Sequence, residues 1–137
     1  MMTEKTLVLL KPDAVRRNLI GQIILRCESK GYSVSRLKKV TPTRELLGEH
    51  YAEHDGKSFY EPLLEFMLSG EIVAIELEGH RVIEGFRSLA GSTEPTMAAP
   101  GTIRGDLGRD WGTKVVQNLV HGSDSIESAQ RELELWF

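Results

Sequence analysis

Cysteine is nearly absent from this 137-residue sequence, with Cys27 as the single example. One thiol can form neither an intramolecular disulfide nor a cysteine-based zinc cage. Its setting beside Ile23, Ile24 and Leu25 marks it as a buried side chain. Long hydrophobic runs are missing as well. Nowhere do apolar residues continue for the ~18 positions a membrane span needs, and no small-residue cleavage pattern follows the apolar run after Lys5. A soluble, cytoplasmic protein is therefore expected. Nor is there a large excess of either charge: 17 Lys and Arg stand against 20 Asp and Glu. No global field attracts nucleic acid or an anionic membrane, so an anionic ligand has to be met by a local basic pocket. The two common phosphate loops are also missing, since Gly101, Gly105 and Gly108 match neither the Gly-x-x-x-x-Gly-Lys-Ser/Thr nor the Gly-x-Gly-x-x-Gly pattern.

The 40% hydrophobic content is enough for one core in a chain of this length, and a single domain over residues 1–137 is expected. Thr6 to Leu10 is an apolar run closed by Lys11-Pro12-Asp13, which fits a buried central strand with Lys11 at its exit. Ile20, Ile23, Ile24 and Cys27 fall at helical spacing before Gly31. Tyr32 to Val40 reads as an edge strand. Thr41-Pro42-Thr43 opens a helix through Leu46, Leu47 and Tyr51, and a short helix follows from Ser58 to Leu68. Ile72 to Leu77 is the next strand, Val82 to Leu89 an amphipathic helix ending at Gly91, and a turn-rich stretch reaches Gly108. Val115 to Val120 reads as the last strand. Asp124 with Glu127 resembles an acidic capping box for a final helix that places Ile126, Ala129 and Leu133 on one face. This order suggests helices covering one face of a mostly antiparallel sheet.

Of the four histidines, His50, His54, His80 and His121, only His121 ends an apolar strand and leads directly into Gly-Ser-Asp-Ser. A lone histidine at a strand end is ordinarily a hydrogen-bonded structural residue, so its neighbours decide the matter. The amide-rich start of the following helix favours an anion such as phosphate, and the adjacent glycine permits close approach. For imidazole to attack phosphorus, one nitrogen must be free while the other donates its proton to an orienting acceptor. Glu132, roughly two turns into the last helix, is the candidate acceptor if that helix packs antiparallel to the strand. Lys11, Arg87 and Arg104 all lie near element ends, where sites are assembled, and fork-shaped guanidiniums suit phosphate oxygens. Singly, each is an ordinary surface cation.

Three motifs, Lys11-Pro-Asp13, Pro100-Gly-Thr-Ile-Arg104-Gly-Asp106 and Asn118-Leu-Val-His121-Gly-Ser-Asp-Ser, occur in an order that closely resembles nucleoside diphosphate kinase over essentially the whole chain. The resemblance implies an α+β, ferredoxin-like sandwich with a four-stranded antiparallel sheet covered by helices. It implies a ping-pong reaction in which ATP, or another nucleoside triphosphate, phosphorylates His121 and a nucleoside diphosphate takes the phosphoryl group, maintaining triphosphate pools. Mg²⁺ is implied as cofactor, held mainly by nucleotide phosphates rather than by protein ligands. Carried over residue by residue, the family pattern makes Lys11, Tyr51, Arg87, Thr93, Arg104 and Asn118 phosphate, sugar or catalytic-site contacts. It stacks Phe59 on the base and gives Glu132 and Ser123 the task of orienting His121. A stacked aromatic accepts any base through its π face, so broad base tolerance follows. Without the resemblance, Phe59 and Tyr51 read as packing aromatics and Thr93 as a turn residue. A homo-oligomer, tetramer or hexamer, is also implied.

Three departures stand out. The stretch from Arg104 to Asn118 is about four residues longer than is usual in the family, a change a surface loop absorbs cheaply. Ser58 replaces a proline common before the base-stacking Phe, and the chain ends at Phe137 without the tail that longer members use in assembly. Two other functions fit the same scaffold less well. A nucleotide sensor without turnover has no reason to keep His121, Lys11 and Glu132 together, and a nucleic-acid binder needs a basic face and exposed strand aromatics. The Gly-Ser-Asp-Ser run lacks the Gly-x-Ser-x-Gly elbow of a serine hydrolase.

Overall fold

A computed structural model describes residues 3–137. Strand β1 (Glu4–Leu10) leads through a short helix α1 (Pro12–Arg16) and helix α2 (Ile20–Ser29) to β2 (Ser33–Val40). Helices α3 (Arg44–His50) and α4 (Tyr60–Met67) precede β3 (Ile72–Gly79), and α5 (Val82–Ala90) follows it. A short helix α6 (Ile103–Leu107), strand β4 (Val120–Gly122) and helix α7 (Ile126–Trp136) complete the order. The sheet runs β2-β3-β1-β4 with every neighbouring pair antiparallel, the arrangement of a ferredoxin-like α+β sandwich.

Leu7 to Leu10 of β1 are wholly buried because the strand is central and covered on both faces. Alternation assigns the two faces to two cores. Val8 and Leu10 pack with Val73, Ile75 and Leu77 under Ile23 and Cys27 of α2 and Val82 and Phe86 of α5. Leu7 and Leu9 pack with Ile72 and Ala74 under Leu47 of α3, Leu64 and Met67 of α4, and Leu133 and Trp136 of α7. Helices thus cover both faces, where the order of elements suggested one. β2 forms the edge expected of its poor alternation and is exposed over most of its length.

Three local expectations are corrected. The last strand begins at Val120 rather than Val115, because Leu119 has φ 71 and the Val120 N–H closes onto the Asn118 carbonyl at 2.8 Å. So tight a turn keeps Asn118 and Leu119 out of the ladder, which Val120 is the first to join. The N-cap of α7 is Ser125, whose hydroxyl accepts the Ser128 N–H, not Asp124. The turn-rich stretch after Gly91 contains α6, capped by Thr102, whose hydroxyl accepts the Gly105 N–H.

Candidate active site

Strand β4 pairs with β1 so that His121 lies opposite Leu9, and α7 returns along the sheet to bring Glu132 to the ring. His121 Nε2 and Glu132 Oε1 are 2.8 Å apart, the contact that antiparallel packing of the last helix was expected to allow. The same carboxylate oxygen accepts the Ser123 hydroxyl at 2.7 Å, and Ser123 Oγ in turn accepts the Leu7 N–H at 3.2 Å. Ser123 is completely buried, so this chain ties the histidine to the central strand. Burial alone would push the Glu132 carboxyl up, but the hydrogen bonds it accepts from His121 and Ser123 hold it below the ordinary range.

Lys11, Arg87, Thr93, Arg104, Asn118 and His121 line one cavity of about 490 Å³. Lys11, the N-cap of α1, donates from Nζ to Asn118 Oδ1 at 2.7 Å, while Asn118 Nδ2 donates to the Thr93 carbonyl at 3.1 Å. Burial, then the neighbouring Arg104 cation, lower the Lys11 ammonium to about 8 against the pull of Asp13. The Arg104 guanidinium gives one donor each to the carbonyls of Asn118 (3.0 Å), Gly91 (2.9 Å) and Val120 (2.7 Å). It therefore clamps two backbone segments, Gly91 and the Asn118–Val120 turn, around the cavity in addition to lending charge. Arg87, at the end of α5, is freer, with one 3.4 Å bond to the Gly122 carbonyl. Burial and the Arg87 cation pull Arg104 down to about 10. The room beside Gly122 is used by protein: a Cβ there would lie 2.6 Å from the Phe86 ring. This glycine lets α5 close on the strand.

Tyr51 and Glu132 line an adjoining cavity of about 190 Å³ with His50, His54, Arg87 and His121. Tyr51 is buried, its hydroxyl has no hydrogen-bond partner, and burial pushes its pKa up. Phe59 lines neither cavity. It is 44% exposed and joins the site through edge and tilted ring contacts running His121, His50, Tyr51, His54, Phe59.

Sequence reasoning passed over His50. Its ring centroid is 4.7 Å from that of His121, and its Nδ1 accepts the Trp136 indole N–H at 3.0 Å. Burial lowers its pKa to about 3, so it is neutral, with the remaining proton on Nε2. Its place on the buried side of α3, one residue before Tyr51, was the available signal. Asp13, quoted within a motif but given no task, is buried and accepts the Leu119 N–H on Oδ2 at 3.1 Å.

Among the described residues, no carboxylate lines the larger cavity. A hard cation that wants anionic oxygen ligands finds no carboxylate among the lining residues, a donor set compatible with Mg²⁺ carried in on phosphates. His50, His121 and Glu132 lie close enough together to be considered as metal ligands, but a two-imidazole set is the chemistry of softer metals. No helix among the described residues is long and apolar enough to cross a membrane.

The family model described as nucleoside diphosphate kinase matches residues 4–137. The nucleoside diphosphate kinase of Streptomyces avermitilis is 57% identical over 99% of this chain and 97% of its own length. That of Mycobacterium marinum is 56% identical over 99% and 98%. Among solved structures, the Borrelia burgdorferi enzyme, a transition-state mimic with bound vanadate and ADP, superposes with a TM-score of 0.94 at 32% identity, covering 100% of this chain and 88% of that one. The Halobacterium salinarum enzyme in complex with CDP gives 0.92 at 43% identity, covering 99% and 88%.

Proposed function

Because this chain belongs to the nucleoside diphosphate kinase family, we propose that the residues around the larger cavity divide the family's reaction among themselves. The reaction moves the γ-phosphoryl group of ATP or another nucleoside triphosphate to a nucleoside diphosphate through a phosphohistidine on His121. Glu132 fixes the tautomer: Nε2 keeps its proton and donates it to the carboxylate, leaving Nδ1 as the nucleophile. Nδ1 attacks the γ-phosphorus, the bond to the bridging oxygen breaks, and the diphosphate leaves with that electron pair. In the second half a terminal oxygen of the incoming diphosphate attacks the same phosphorus and the P–N bond breaks, returning neutral His121. Glu132 balances the charge that the imidazole gains while it carries the phosphoryl group.

Lys11, Arg87 and Arg104 spread the charge of the phosphate oxygens, with Asn118 and Thr93 completing the lining. Tyr51 presents its unpartnered hydroxyl beside His121, and Ser123 supports Glu132 from beneath. Phe59, exposed at the rim, is the surface on which a base of any kind stacks. Mg²⁺ held by the phosphates supplies further charge neutralisation when nucleotide is bound. We place the enzyme in the cytoplasm as a single domain. We expect a homo-oligomer, tetramer or hexamer, for which the free backbone edge of β2 and exposed Leu37 offer a surface.

The observation that carries this reading is the 2.8 Å His121–Glu132 contact at the wall of a cation-lined cavity. The test is incubation with γ-labelled ATP and Mg²⁺ without acceptor, then a chase with GDP. Acid-labile, alkali-stable label that moves to GDP is the expected result. Tight nucleotide binding without label overturns the reading in favour of a sensor.

A further inference from the structure

The backbone leading into His121 takes an unusual course. Leu119 is a buried, γ-branched residue at φ 71, a region an L side chain rarely adopts, and it is the centre of the tight turn closed by the Val120 N–H on the Asn118 carbonyl. Such a turn persists only where its surroundings over-determine it. Its own N–H points away from the ladder and is met by Asp13 Oδ2 at 3.1 Å, while its carbonyl accepts the Lys11 N–H at 2.8 Å. Asp13 is almost completely buried, a costly place for a carboxylate, and its other oxygen, Oδ1, has no hydrogen-bond partner. The contact therefore joins the first turn of α1 to the turn that carries Asn118 on one side and His121 on the other.

We propose that Asp13 is a positioning residue for phosphoryl transfer, acting as the acceptor that latches the Leu119 turn and so fixes the relative placement of Lys11, Asn118 and His121. Asp13 touches no substrate; it acts through the backbone. Release of the Leu119 N–H lets the turn relax toward ordinary extended backbone, which shifts the His121 ring away from the line of attack while leaving Phe59, Arg87 and Thr93 in place to bind nucleotide. Loss of the latch is thus felt in kcat more than in KM.

The inference rests on His121 as the phosphoryl acceptor, and two variants separate the latch from simple charge. Asp13→Asn removes the charge but keeps an oxygen for the Leu119 N–H, with its amide taking the place of the unpartnered Oδ1. Asp13→Glu keeps the charge but moves the acceptor by one methylene. The readouts are the single-turnover rate of His121 phosphorylation per folded molecule, and kcat and KM. For Asp13→Glu we expect kcat to fall at least about tenfold with KM within about threefold, and for Asp13→Asn a kcat within about threefold of the parent enzyme. The reverse order, equal losses, or two unimpaired variants would each overturn the proposal. Absence of acid-labile label in the parent enzyme would instead overturn the assignment of His121 itself, a result distinguishable from all of these.

Discussion

The two edges of the sheet are built on opposite plans. β2 is eight residues long, mostly exposed, and follows its neighbour in a regular ladder broken only by a register shift between Val34 and Arg36. Its cations lie at the surface, and half-exposed Arg36 reaches in to the buried Glu76 carboxylate of β3 at 2.6 Å. β4 is three residues long, enters from a left-handed turn, and places its polar groups against buried partners. A long edge satisfies its backbone with little help from side chains. A short one depends on Asp13, Arg104 and Ser123 to satisfy what the ladder leaves over. Chemistry sits at the second edge because fixed donors and acceptors are already required there.

This contrast is open to direct attack. The largest effect belongs to His121→Ala, for which we expect transfer to fall by at least ~10⁴-fold while nucleotide binding, followed by equilibrium titration, changes little. Near-normal exchange in the folded variant would show that the β4 edge is not the seat of the reaction. Next is Glu132→Gln. An amide still reaches the ring but no longer stabilises its positive charge, and we expect kcat to drop by roughly 10²-fold. A smaller effect follows from Lys11, whose burial beside Arg104 lowers its pKa to about 8. Below that pH the free enzyme meets phosphate with an ammonium; above it the charge is lost, so kcat/KM should decline as pH rises through about 8. Bound phosphates favour the ammonium, which puts the matching limb of kcat at higher pH, and Lys11→Arg should carry the kcat/KM limb upward. The smallest effect on turnover lies on the other edge: Arg36→Ala should leave kcat unchanged but lower the thermal midpoint, since it takes the nearest cation from the buried Glu76 carboxylate and leaves it Ser35 and Lys5. Any sizeable loss of activity there would mean that the two edges communicate.

How legible the site was follows the same division. β1, α2, β3, α5 and the edge character of β2 were readable from periodicity, because burial of one face fixes which residues are apolar. The meeting of His121 with Glu132 was readable only as a condition on helix packing, which the return of α7 along the sheet fulfils. The stretch from Val115 to Leu119 misled, since Val115, Val116 and Leu119 have strand-like composition while a tight turn and the side chain of Asn118 decide the path. Arg104 looked like one more cation for phosphate. Its three carbonyl contacts join Gly91 to the Asn118–Val120 turn, two segments that no local pattern links. His50 escaped notice because its one local signal was its place on the buried side of α3, and the burial that keeps it neutral comes from elements distant in sequence. Helices on both faces of the sheet likewise had no signal in the order of elements alone.

The bond between Lys11 and Asn118 spans 107 positions of sequence, and that between Leu7 and Ser123 spans 116. During synthesis the first strand waits for nearly the whole remainder of the chain before it meets the partner that completes its ladder. Contacts of this range close late and slow folding. Until they form, β1 presents one bare edge to its surroundings, and no arrangement of the earlier elements can hold His121. The enzyme therefore has no partly active precursor: catalytic competence arrives in one step with the final helix, and turnover by a newly made molecule is itself a report that its two ends have found each other.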